Sequence, residues 1–521
     1  MGGGRNAYLG HLRVGAMRVP LAVSLLALLA ASALAGCAND PGAGADGVLS
    51  ADSLPGFAAL PLADLPTFSA PVLIDDVRAG GEPVIAITHS GAILVSAHPG
   101  FTHYHPSNEG GSPPEELLTP FAGQSYLWRS ADNGTTWTHI GLPGREEGPR
   151  SLGLGVSDPE FTVMEDGTIC YTDLEALAMS SVSCSTDDGL TWMPGNPVAS
   201  GGATDRQWIA SYKDEFYFTA NYFADHHLRA STDRGLTWQD RGDVPCSQDL
   251  VANPANGHLI VACGAGIAVS TDGGWTWTDP SANRQELNRT VPGAPARGQR
   301  VMSEPGLDSA GNIWVTYTEN ETNLFAAGTP DEGVTWPWTI EITPHFRLYS
   351  THDAGDSNGL NGYHNKADPT AATNGTYVWP WISAGSAGRI AVTWFGSYLE
   401  ERSGVQSGPW YVFSASVVDA NTAHPTVVVS RLTPNPMHAG PICQGGTGCQ
   451  VTSVQGDPNG DRRLGDFFET TVGPDGYLYG AWSNTVEKPT DVISHPQFVR
   501  QTGGLRLISD AELGSFVPTQ G

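Results

Sequence analysis

The sequence predicts an all-β fold built by radial repetition, and three observations predict it. The stretch Ser-x-Asp-x-Gly-x-Thr-Trp returns five times, as Ser130 to Trp137, Ser185 to Trp192, Ser231 to Trp238, Ser270 to Trp277 and, with Thr for Ser, Thr329 to Trp336. Seven segments read apolar strand, Gly or Asp turn, apolar strand. No long amphipathic helix pattern interrupts them. A repeat of strands without helices closes most simply as a β-propeller of four-stranded blades. Seven hairpins favour seven blades, with six blades plus an extra hairpin as the alternative.

The chain begins with a targeting segment, residues 1–36. Arg5, Arg13 and Arg18 precede the apolar run Val19 to Ala33, which is followed by Leu34-Ala35-Gly36-Cys37. Such a run is short for a membrane span and has the layout of a secretory signal; Met17 onward already makes a complete one. Residues 37–65 are rich in Ala, Gly, Asp and Pro without a period and read as a flexible tether. Residues 66–521 carry the repeats. The hairpins run Ile85 to Ala97, Phe161 to Tyr171, Trp208 to Phe218, Leu250 to Val261, Gly306 to Tyr317, Ile382 to Trp394 and Thr471 to Trp482. Each supplies the two inner strands of a blade, and Pro71 to Asp75 would close the ring by joining the last blade.

The five boxes have the chemistry of a tight turn between a blade's third and fourth strands, at the outer rim. Asp132, Asp187, Asp233, Asp272 and Asp331 accept hydrogen bonds from turn N–H groups. Gly134, Gly189, Gly235, Gly274 and Gly333 take φ > 0. Trp137, Trp192, Trp238, Trp277 and Trp336 begin the next strand and pack beneath the turn. These residues are structural, since turn and packing chemistry accounts for every fixed position.

The stretch resembles the Asp-box, or BNR, repeat of the sialidase-like β-propellers, over roughly residues 75–505. Leu-Ala-Gly-Cys likewise resembles the bacterial lipobox, which implies that Cys37 is lipidated and becomes the first mature residue. For true sialidases the resemblance implies an arginine triad, a Tyr–Glu nucleophile pair and an Asp acid/base. Their Phe/Tyr-Arg-Ile-Pro stretch is absent here, since Arg18-Val19-Pro20 lies inside the signal, so no catalytic residue carries over by position. Xyloglucan-cleaving hydrolases, polysaccharide lyases, photosystem assembly factors and sorting receptors also use Asp-box propellers, so the fold leaves the function open.

Composition narrows the partners. Fifty-four Asp plus Glu against 26 Lys plus Arg give a net charge of −28, which argues against nucleic acid and anionic membrane surfaces. Seven Cys less Cys37 leave six, in local pairs Cys170 with Cys184, Cys246 with Cys263 and Cys443 with Cys449. An oxidising compartment makes these disulfides; metal ligation is the lesser alternative, as no CxxC occurs. The abundance of glycine and proline suits a chain of many tight turns.

If the boxes mark one rim, the loops entering each inner strand lie on the opposite face. Carboxylates and arginines recur there: Asp158, Glu160, Asp205, Arg206, Asp249, Arg300, Glu304, Arg462, Arg463, Asp466 and Glu469. Asp158, Asp205, Arg206, Arg300, Glu304, Arg463 and Asp466 are the candidate catalytic residues, with Arg206, Arg300 and Arg463 imitating a triad from three blades. A funnel lined with both signs suits glycoside chemistry, one raised carboxyl acting as acid and a second group as nucleophile or base. The competing reading is that the same groups tie blades together as buried ion pairs. The second-strand exits add His103, Tyr104, His105, Asp173, Glu175, Asp225, His226, His227, Glu319, Glu321, Tyr398, Glu400, Glu401 and Arg402. His103-x-His105 and His226-His227 lack a known zinc spacing and read as solvated loop histidines, so neither a metal nor a cofactor is expected. Two polar insertions, His352 to Thr376 and Pro436 to Cys449, are expected as lids over that face. The sequence therefore predicts a monomeric, exported, surface-anchored glycan-processing propeller; the alternative is a non-catalytic propeller that binds a glycan or protein partner at the envelope.

Overall fold

The computed structural model describes residues 64–514 except 99–124, 142–157, 176–178, 201–203, 223–224, 247, 279–288, 295–304, 320–322, 343–347, 351–362, 366–375, 398–408, 444–460 and 489–492. Every element in them is a strand, and the strands form seven antiparallel sheets arranged as the blades of a β-propeller. Blade 1 comprises Gly81–Ile87, Ile93–His98, Tyr126–Ser130 and Thr138–Gly141. Blade 2 comprises Glu160–Val163, Ile169–Glu175, Met179–Ser185 and Asn196–Ser200, and blade 3 Thr204–Tyr212, Glu215–Tyr222, Asp225–Ser231 and Gln239–Asp243. Blade 4 has three described strands, Leu250–Ala252, Leu259–Ala262 and Ile267–Ser270. Blade 5 comprises Gly306–Leu307, Ile313–Glu319, Asn323–Thr329 and Trp338–Glu341. Blade 6 comprises Thr376–Ala384, Ile390–Ser397, Pro409–Val418 and Thr426–Arg431.

Blade 7 joins the two ends of the chain. Its inner strands Glu469–Val472, Leu478–Asn484 and His495–Gly503 are completed by Thr67–Phe68 and Val72–Leu73, both antiparallel to His495–Gly503. The closure expected from Pro71 to Asp75 is thus present, with one further strand upstream of it. Seven blades, not six, surround the axis.

Inner strands are buried on both sides, because each is flanked by its neighbours and roofed by the next blade. Trp208, Trp314, Trp394 and Trp482 are all under 2% exposed. Burying one such ring contributes roughly 2–3 kcal/mol. Rings also bridge blades: Phe395 of blade 6 stacks on Phe468 at the entry to blade 7, centroids 4.3 Å apart.

The five boxes sit between third and fourth strands. In each, the Ser or Thr hydroxyl donates to the Asp Oδ1 at 2.8 Å and accepts from the Gly N–H at 2.8–3.0 Å. The Asp takes the Thr N–H and hydroxyl four residues on, as in Thr136 N–H to Asp132 at 2.9 Å. The Gly also faces the preceding blade. A Cβ on Gly134 would fall 2.0 Å from the Phe498 ring of blade 7, and one on Gly274 would fall 1.9 Å from Leu228 of blade 3. The box is therefore a latch between blades as well as a turn. Arg234 of the third box reaches Asp166 in the inner turn of blade 2 at 2.9 Å, which places boxes and inner turns on one face. Asp64 lies on that face too, its carbonyl accepting from Leu505 N–H at 2.9 Å.

Cys170 and Cys184 are directly opposed in blade 2 and bonded to each other, and Cys246 is bonded to Cys263 at blade 4. Cys443 is disulfide-bonded, and its expected partner Cys449 lies outside the described residues, as does Cys37.

Candidate functional site

The strand entries, on the face opposite the boxes, share one backbone device. Glu82, Asp158, Arg206 and Trp379 introduce the inner strands of blades 1, 2, 3 and 6, and all have left-handed φ, at 48°, 54°, 50° and 53°. Pro83, Pro159 and Pro380 follow three of them, and the pairing register slips at Gly81/Val84, Asp205/Gln207 and Val378/Trp381. Non-glycine residues hold this conformation at a cost of about 1–3 kcal/mol, so an outlier repeated on four blades marks a place where the fold holds side chains against strain.

Three of the four are ionisable and buried, and they converge. Arg206 donates its backbone N–H to Asp158 at 3.1 Å, and its guanidinium lies 3.8 Å from Asp158 and 3.5 Å from Asp466. Arg462 grips Asp466 with both terminal nitrogens, Nη2 to Oδ2 at 2.7 Å. Asp466 N–H donates to Glu82 Oε1 at 2.8 Å, and His98 Nε2 lies 2.9 Å from Glu82 Oε2. The Arg206 guanidinium rests on the Phe467 ring at 4.5 Å, which holds its plane.

These neighbours separate the acids. Burial, then the Asp158 charge, pushes Glu82 well above the usual carboxyl range. Burial opposes ionisation of Asp158 too, but Arg206 and a hydrogen bond from Glu82 outweigh it and hold Asp158 low. Burial drops His98 to about 4, so its ring is neutral. Asp205 differs from all of these because it is exposed. The protein mass crowding its carboxyl, and next the Asp158 charge, nevertheless raise it to about 6. The result is an exposed residue whose carboxyl, hydrogen-bonded to Asp158, keeps its proton in mildly acidic water while Asp158 does not.

Glu160, Asp249 and Glu469 form a second layer at the inner strands themselves. Each is 1–5% exposed and pins one oxygen on a backbone N–H: Phe161 at 2.7 Å, Leu250 at 2.7 Å and Ile85 at 3.1 Å. Burial pushes all three well up, and Glu160 and Glu469 hydrogen-bond each other. Glu469 of blade 7 holding Ile85 of blade 1 is an inter-blade tie, the structural role that the competing reading expects.

Of the candidate residues, Asp158, Asp205, Arg206 and Asp466 come together. Arg463 is buried in a separate pair, its Nε 2.9 Å and Nη2 2.5 Å from Asp461 Oδ2. Arg300 and Glu304 lie outside the described residues, with His103, Tyr104, His105, Glu321, Tyr398, Glu400, Glu401 and Arg402. Among the second-strand exits, Asp173 is buried and accepts from Ser125 at 2.9 Å. His226 and His227 are in a strand rather than a loop, and alternation sends them to opposite faces. His226 is buried, while His227 pairs with exposed Asp243 at 3.1 Å. In the first insertion, Tyr363–Asn365 pairs with the outer strand of blade 6, which widens that blade. In the second, His438–Ala439 pairs with Pro409–Val418.

Glu82 and His98 were not among the sequence candidates. The available signal was Glu82-Pro83 ahead of an inner strand, the same layout as Asp158-Pro159.

No protein-family model and no curated protein matches the chain. Among solved structures it is similar to a fungal alcohol oxidase of the AA5 family in complex with copper, at 11% identity over 84% of this chain and 76% of that one, TM-score 0.49. It is similar to the NanB sialidase from Streptococcus pneumoniae at 12% identity over 83% and 70%, TM-score 0.36. An ancestral GH74 enzyme aligns at 12% identity over 82% of this chain and 48% of that one, TM-score 0.39.

Proposed function

We propose that the chain is an exported, surface-anchored glycan-processing propeller that cleaves a glycosidic bond in its strand-entry funnel, with Asp205 as general acid. The observation that carries this reading is the place of Asp205, exposed at a strand entry directly before buried Arg206, whose N–H holds the Asp158 carboxylate; burial and that carboxylate raise Asp205 to about 6. A glycoside leaving group needs a proton donor that is protonated at working pH and reachable by substrate. Asp205 meets both conditions in mildly acidic water; buried Glu82 meets only the first. Asp158, Arg206 and Asp466 position it and set its charge. No cofactor enters this scheme.

The test is sugar release from a panel of glycosides and surface polysaccharides, sialosides included. Release that Asp205→Asn abolishes while the fold stays intact supports the reading. Release that is unchanged in both Asp205→Asn and Asp466→Asn removes these residues from the chemistry.

One observation favours the alternative of a non-catalytic propeller that binds a glycan or protein. Arg462 and Arg463 are each committed to a carboxylate of their own chain, Asp466 and Asp461. A sugar carboxylate therefore finds neither guanidinium waiting. Saturable retention on an immobilised glycan or envelope extract, with no sugar released, identifies that case.

A further inference from the structure

The floor of the funnel holds a donor set of which proton transfer at Asp205 uses only Asp158. Glu82, His98 and Asp158 each present one donor atom, and these atoms lie within 4.8 Å of one another. The residues are 1%, 0% and 4% exposed. They come from the entry of blade 1, the end of its second strand and the entry of blade 2, so the fold rather than a local turn assembles them.

Charge and donor type argue for what belongs there. Among the described residues, four carboxyls, Glu82, Asp158, Asp205 and Asp466, stand beside two guanidiniums, Arg206 and Arg462. Buried charge of one sign must be met by protons or by a cation. Carboxyls sharing protons would explain an acidic cluster, but not the imidazole. His98 brings an imidazole whose Nε2 lies 2.9 Å from Glu82 Oε2, and imidazole is a common metal ligand. Glu82 turns its other oxygen to the Asp466 N–H and, at 4.0 Å, to Arg462, which orients the carboxyl from behind. One nitrogen and two carboxylates suit a first-row transition ion better than calcium, which prefers six or more oxygens.

We propose that Glu82, His98 and Asp158 form a binding site for a divalent first-row transition-metal ion, zinc or manganese, at the inner end of the funnel. This departs from the sequence reading, which expected no metal because the His-x-His and His-His pairs lack zinc spacing. The site shares Asp158 with the surroundings of Asp205, so its test reads metal and not turnover.

The experiment takes the purified full-length protein, strips it with a chelator, and titrates it calorimetrically with Zn²⁺ and Mn²⁺, with Ca²⁺ for comparison. Bound metal is counted by elemental mass spectrometry. One Zn²⁺ or Mn²⁺ per chain is expected, weakened more than about tenfold by His98→Gln and by Glu82→Gln. His227→Gln, which removes the exposed His227–Asp243 pair, is expected to leave binding unchanged. No binding by the parent protein at millimolar metal overturns the site, as does binding that both funnel variants retain at full strength. Equal affinity for Ca²⁺ overturns the transition-metal assignment. Should His98→Gln fail to fold, Glu82→Gln, which keeps the side-chain shape, carries the comparison.

Discussion

Asp158 and Arg206 occupy the same station on neighbouring blades, both at left-handed φ, and the Arg206 backbone N–H is bonded to the Asp158 carboxylate. A polar contact between blades thus fixes two strained backbones and brings the Arg206 guanidinium between Asp158 and Asp466. Removing the guanidinium leaves both carboxylates without it. Arg206→Ala is expected to cost about 3–5 kcal/mol, the usual penalty for breaking a buried pair from one side. Arg206→Lys restores the charge but not the planar fork over Phe467, and is expected to recover only part of the loss. Urea unfolding at neutral pH measures both; equal stability of all three proteins would mean that the pair is solvated.

The Asp205 shift has a direction that kinetics can read. As the acid, Asp205 works in its protonated form, so kcat/KM should be level below about pH 6 and fall about tenfold per pH unit above it. Linkage gives a second sign. A carboxyl raised from 3.8 to about 6 by folding adds stability that is complete below 3.8 and lost as pH rises through 6. Asp205→Asn should therefore abolish turnover while being at least as heat-stable as the parent at pH 8. A parent profile that rises above pH 6 would assign the limb to a base instead.

How much of this was legible depended on how local the chemistry is. The box reads from sequence because its bonds each span at most five residues: Gly134 N–H to Ser130, Ser130 to Asp132, and Thr136 N–H to Asp132. Asp158, Asp205, Arg206 and Asp466 were legible as polar residues at strand entries, but their convergence needed the ring to close. Glu82 was not legible: its left-handed conformation arises from the bulge between Gly81 and Val84, which exists only once that strand pairs with Ile93–His98. His98 reads as the polar end of an apolar strand until the neighbouring blade supplies Asp158. Arg463 misled for the opposite reason. Its partner Asp461 is two residues away, so a local pair captured the side chain before the funnel did.

The blade 2 disulfide makes an independent prediction. Cys170 and Cys184 are separated by 14 residues, and a closed loop of that size stabilises by about 3 kcal/mol in the chain-entropy account. The double change Cys170→Ala, Cys184→Ala should lower the urea midpoint, with a slope no smaller than the parent's because the unfolded chain is released from the cross-link. Both sulfurs lie in a buried cluster with Val182, Ile209 and Phe218, and the alanines leave some of that space unfilled, so the loss should not be smaller. A midpoint that does not move would show that the bond adds nothing to a blade already held by its neighbours.

The latch role of the boxes separates two glycines that a turn-only account treats alike. Gly274 has φ of +92°, and a Cβ there would lie 1.9 Å from Leu228 of the preceding blade. Gly264, in the same blade, has φ of +66° with nothing within 4 Å of the added atom. Alanine at Gly264 meets only backbone strain, about 1 kcal/mol. Alanine at Gly274 meets the same strain and also a core methyl that must move, which adds about 1–3 kcal/mol. Gly274→Ala should therefore unfold at clearly lower urea than Gly264→Ala. Leu228→Ala, destabilising alone through the space it leaves, should be less destabilising on top of Gly274→Ala than in the parent, because the smaller side chain relieves the clash. Strictly additive losses in that double-mutant cycle would mean that the box glycine is chosen for the turn and not for the neighbouring blade.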